Sequence, residues 1–123
     1  MIVPGAKLSA TRITTTATPA EALLTANLAV EVTRAQIVNA GSNVAVVEIY
    51  HDEAGGSTWD ATTIIHKVSV PVDTTVEAFV TQSPGSGITV KAGGQIGVEA
   101  TGTSPDVNIT LYGITEEITN GGS

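Results

Sequence analysis

Val107-Asn108-Ile109-Thr110-Leu111-Tyr112 alternates apolar and polar side chains without a fault. Successive side chains of a strand point to opposite faces, so Val107, Ile109 and Leu111 are expected to face a core and Asn108, Thr110 and Tyr112 to face out. The same period recurs upstream. Ile96, Val98 and Ala100 align within Gln95–Thr101; Ile88 and Val90 form a short strand; Val76, Ala78 and Val80 form another. Ile64, His66, Val68 and Val70 share a face that Pro71 ends. Leu28, Val30 and Val32 begin a strand whose phase then switches to Ala35 and Ile37. One extra residue near Thr33 and Arg34 produces such a switch, as a β-bulge does.

Val44–Tyr50 is apolar on both faces for most of its length and reads as a central strand. Leu8–Thr16 is Thr-rich and reads as an exposed or edge strand, broken at Thr18-Pro19. Ala20–Ala26 fits a helical turn or a leading strand. Composition agrees with this all-β reading: Thr, Val and Ile supply 45 of 123 residues against five Leu, and β-branched side chains suit a pleated surface. About eight short strands with regular turn signals predict an antiparallel two-sheet β-sandwich, jelly-roll-like or immunoglobulin-like. The length fits one domain over 1–123, with a short N-terminal arm (about 1–7) and a flexible tail (about 116–123).

Charge and chemistry narrow the function. Twelve acidic residues against five scattered cations give −7, which offers nothing to a phosphate backbone or an anionic membrane. There is no cysteine, no basic-then-apolar leader at Met1–Lys7 and no apolar stretch long enough to span a bilayer. His66 occupies an apolar strand position and reads as structural. His51 opens a polar loop, His51–Asp60, whose carboxylates Asp52, Glu53 and Asp60 lack the spacing of a calcium loop and read as solvated. No nucleophile elbow, P-loop or dinucleotide fingerprint is present, and Asn108-Ile109-Thr110 is a sequon inside a strand. The expectation is a protein without catalytic, cofactor or metal site, and not an enzyme. Trp59, alone in a Gly-rich loop, suits either a cover for the core edge or an interface anchor.

Residues Ala22–Ile118 resemble a module of tailed-bacteriophage virion structural proteins. The resemblance is carried by Val32–Tyr50 (VTRAQIVNAGSNVAVVEIY), the Gly- and Asp-containing loop Asp52–Asp60 with its aromatic, the Val70-Pro71 step, and Ile88–Glu117 with its Lys-Ala-Gly-Gly turn. It implies a capsid decoration (cement) protein or a neck or head-tail accessory protein. It further implies localisation in the virion, partners among the major capsid protein and neighbouring virion proteins, and a homo-oligomer, by preference a trimer. Exposed apolar character nominates Ile2, Val3, Tyr50 and Trp59 for the interface. A carbohydrate-binding host-recognition module, stacking sugars on Trp59, Tyr50 and Tyr112, is the alternative.

Overall fold

A computed structural model describes residues 2–14, 21–78 and 87–116. They form nine strands and no helix: β1 (Ile2–Ile13), β2 (Glu21–Thr25), β3 (Val30–Asn39), β4 (Ala45–Asp52), β5 (Ile64–Val70), β6 (Thr75–Ala78), β7 (Ile88–Val90), β8 (Gln95–Gly102) and β9 (Val107–Glu116). One sheet runs β1-β9-β3-β6, with β7 also on β3; the other runs β2-β8-β4-β5, and every pairing is antiparallel.

The pairings are nested. β4 pairs β5, β3 pairs β6 and β7, β2 pairs β8, and β1 pairs β9. That is one long hairpin rolled up until β8 also meets β4 and β9 also meets β3. The architecture is therefore a two-sheet sandwich of jelly-roll order, and the immunoglobulin-like option falls away.

The core between the sheets is aliphatic. Val32, Ala35, Ile37, Val107, Ile109 and Leu111 face it from one sheet; Val47, Ile49, Ile96, Val98 and Ala100 face it from the other, all fully buried. The alternation of β9 is as its sequence foretells, with Asn108, Thr110 and Tyr112 on the outside. The bulge in β3 is also present: its register against β9 slips between Val32 and Arg34. On its other flank β3 changes partner at the same place, from β7 (Val30–Val32) to β6 (Ala35–Val38).

Three expectations are corrected. β3 starts at Val30, and Leu28 is exposed at 45 % in the preceding turn. β1 starts at Ile2, so the proposed arm has backbone partners, Ile2 with Glu116 and Val3 with Thr115. β9 holds its pairing to Glu116; the rest of the tail, 117–123, lies outside the described residues, as do Thr18-Pro19 and Val80. His51 and Asp52 close β4 rather than open a loop, and Asp52 is buried. The ambiguous 20–26 stretch is a strand from Glu21, at the edge of its sheet. β1 is likewise an edge, as its threonines suggest.

Candidate functional site: the outer face of the β2-β8-β4-β5 sheet

The loop 53–63 between β4 and β5 is built on one carboxylate. Asp52 Oδ1 accepts the Ala54 N–H at 3.0 Å, and Oδ2 accepts the N–H groups of Gly56 (3.0 Å) and Thr58 (2.9 Å). These donors, Thr58 foremost, hold the Asp52 carboxyl below its ordinary range despite the opposing effect of burial. The loop then rests on its neighbours. Gly55, at φ 72°, sits where a Cβ would overlap the Gly93 carbonyl of the Lys91–Gly94 turn, and Ser57 donates its N–H to Gln95 Oε1 at 2.8 Å. The buried Gln95 amide in turn donates to Thr25 Oγ1 on β2 at 3.3 Å.

Trp59 is thus delivered from a pinned segment. Thr63 Oγ1 donates to the Thr58 carbonyl at 2.9 Å and accepts the Asp60 N–H at 3.2 Å, fixing the residues on either side of the indole. The Asp60 carboxylate accepts the Thr62 hydroxyl and N–H, which hold its pKa below the ordinary value. The indole lands on Gly97 of β8. A Cβ placed on Gly97 would lie 2.6, 2.7 and 2.8 Å from Cζ3, Cε3 and Cη2 of Trp59, nearly equidistant, so the six-membered ring lies face-on over the glycine. Gly97 φ is not in the left-handed region; the glycine is there for space.

Tyr50, directly across from Gly97, flanks the indole with ring centroids 6.1 Å apart and planes at 51°. It is only 5 % exposed, which corrects the expectation of an exposed anchor. Its hydroxyl donates to Glu48 Oε2 at 2.8 Å. Burial first, and then this bond to a carboxylate, push the phenol well above its ordinary range. Glu48 stands directly opposite Glu99 across the β4–β8 ladder and reaches Lys67 Nζ at 3.9 Å. The face therefore carries a half-buried indole, its supporting phenol, and two carboxylates side by side.

The chain has no match among protein-family models, curated proteins or solved structures. A jelly roll by itself hosts many activities, so function lies in what this face carries.

The four nominated interface residues are not brought together. Tyr50 and Trp59 share this face, while Ile2 and Val3 begin the edge strand of the other sheet, with side chains outside the description. Tyr112, the third aromatic considered for sugar stacking, lies on the outer face of that other sheet beneath Arg34, whose guanidinium carbon is 4.2 Å from the ring centroid. His66 is half-buried, opposite Ile49 across the β4–β5 ladder, and has an interaction partner. Among the described residues no three His, Cys, Asp or Glu side chains gather as metal ligands, and no helix is long and apolar enough to cross a membrane. Gly97 and Gln95 are the residues that the sequence reading passed over. A glycine inside an otherwise alternating strand marks a close approach, and that signal was present at Gly97.

Proposed function

We propose that the chain is a non-enzymatic structural protein of a tailed-phage particle, most simply a capsid decoration protein that docks on neighbouring subunits through the Trp59 face. The observation that carries this reading is the mounting of Trp59: a half-buried indole laid on a glycine, in a loop pinned at Asp52, Gln95 and Thr63, against a rigid sheet. A large aromatic held in one orientation loses little freedom on association, which is the property of an interface anchor. The sandwich behind it is a passive support with an aliphatic core. The resemblance of Val32–Tyr50 and Ile88–Glu117 to phage virion modules supports a capsid or adjacent virion subunit as the partner. Repetition around a symmetric shell multiplies a weak contact through avidity.

The saccharide alternative has less support, because Tyr50 is buried and Tyr112 faces the opposite way, which leaves Trp59 alone as a stacking surface.

Co-sedimentation of the purified chain with isolated capsids of the phage that encodes it tests the reading. The expected result is saturable binding that falls by about tenfold or more in Trp59→Ala, the loss of one anchor of roughly 1.4 kcal/mol or more per contact. A chain that stays in the supernatant at every concentration contradicts it.

A further inference from the structure

The two outer faces of the sandwich treat their aromatics differently. On the β1-β9-β3-β6 sheet, Tyr112 is covered from within the chain: Arg34 stacks on the ring at 4.2 Å, and its Nε lies 3.3 Å from a Glu77 carboxylate oxygen, an ion pair without hydrogen-bond alignment. Ring, cation and carboxylate are thus brought together on one face. On the β2-β8-β4-β5 sheet the indole and the carboxylates are present, but among the described residues no cation lies over Trp59.

Charge is divided the same way. The strands of that sheet and the 53–63 loop hold six of the chain's twelve acidic residues but only Lys67 of its five cations. Lys67 is committed to Glu48. Glu99, opposite Glu48, has neither an ion pair nor a hydrogen bond among the described residues, and two carboxylates facing each other across a ladder oppose folding. Gly97, under the indole, and Glu99 lie two residues apart on the same face of β8, so indole and free carboxylate are neighbours.

We propose that this face receives an arginine side chain from a basic protein partner, the guanidinium stacking on Trp59 and pairing with Glu99. The inference rests on the docking role given to Trp59 above and adds the chemistry of what docks. Trp is the strongest cation–π acceptor, and guanidinium is planar, weakly hydrated and able to engage a carboxylate at the same time. The Arg34 stack shows that geometry already realised on a sheet face of this same protein.

Trp59 is the sole tryptophan, so its emission reads this face and no other. The probe is a short peptide with three arginines separated by glycines, titrated against the full chain up to roughly 10 mM, the range where contacts of a few side chains saturate. Saturable change in Trp59 emission is expected. It should be absent with the neutral citrulline analogue, weaken about fivefold or more between roughly 0.05 and 0.5 M salt, and weaken several-fold in Glu99→Gln. Glu99→Gln keeps the side-chain shape and is checked for an unchanged circular dichroism spectrum. No emission change, or an equal change with the citrulline peptide, overturns the proposal. So does a change produced by neutral hexoses and insensitive to salt, which would make the face a saccharide site. A chain that binds capsids through Trp59 with no salt dependence refutes the arginine partner and leaves the decoration role standing. A chain that takes the arginine peptide but ignores capsids does the reverse.

Discussion

Asn39 is the residue that ties the two sheets together at the end opposite Trp59. It sits at the last position of β3, fully buried, where Ile37 and Ala35 before it are core aliphatics. Its amide donates to the carbonyls of Asn43 (2.9 Å) and Val70 (3.0 Å), the latter on the other sheet, and its Oδ1 accepts the Gly41 N–H at 2.9 Å. A buried side chain that satisfies three backbone groups leaves all of them orphaned when it is removed. Asn39→Ala is expected to cost about 1–3 kcal/mol in chemical denaturation; a loss under a few tenths would show that water replaces the amide freely. Gly97 poses the converse case, where adding one carbon is the insult. Gly97→Ala forces the Trp59 ring off the sheet, with an expected cost of about 1–3 kcal/mol and a red-shifted Trp emission. Unchanged stability together with unchanged emission would mean that the indole does not rest on this glycine.

At the scale of the element, legibility followed the periodicity of burial. β9 and β8 could be read because each has one face toward the aliphatic core, and the bulge in β3 could be read because a slip of one residue changes which side chains are apolar. Leu28 and Val44 misled for a physical reason. Both are apolar and continue the pattern of the strand that follows, yet both stand just outside it at turns, exposed at 45 % and 51 %. Asp52 misled in the opposite sense: a carboxylate reads as surface, but burying it against three backbone N–H groups organises a whole loop. The Trp59 face was only half legible, since the pairing of Tyr50 with Gly97 depends on register between strands about fifty residues apart in sequence. The bulge has a test of its own. Deleting Thr33 leaves Val32 facing in, Arg34 facing out and Ala35 facing in, so the register of β3 becomes continuous without inverting a face. A loss of under about 2 kcal/mol is expected, against on the order of 3 kcal/mol or more for deleting Gln36, which inverts the phase between Ala35 and Ile37. Near-equal effects of the two deletions would deny that Thr33 is the extra residue.

For the whole molecule, a rolled hairpin places sequence-distant segments side by side: β1 on β9 and β2 on β8, with β4–β5 at the fold of the hairpin. One consequence is that the outer face of the β2-β8-β4-β5 sheet contributes to global stability through Tyr50. Its raised phenol pKa means that the neutral form is favoured in the folded state. The contribution is complete below the unfolded value near 10 and declines as pH rises above it, because only the unfolded phenol ionises readily there. Thermal melts of Tyr50→Phe are expected to show a flatter alkaline limb above about pH 10 than the parent; parallel limbs would remove Tyr50 as the titrating group.

Hydrogen–deuterium exchange of the chain with and without capsids addresses the proposed docking role of the Trp59 face directly. Protection on capsid binding is predicted for the 53–63 loop and for the adjoining parts of β4 and β8, with the outer face of β1, β9 and β3 unchanged. Protection confined to the β1-β9-β3-β6 face, with the Trp59 loop exchanging as in the free chain, would contradict it.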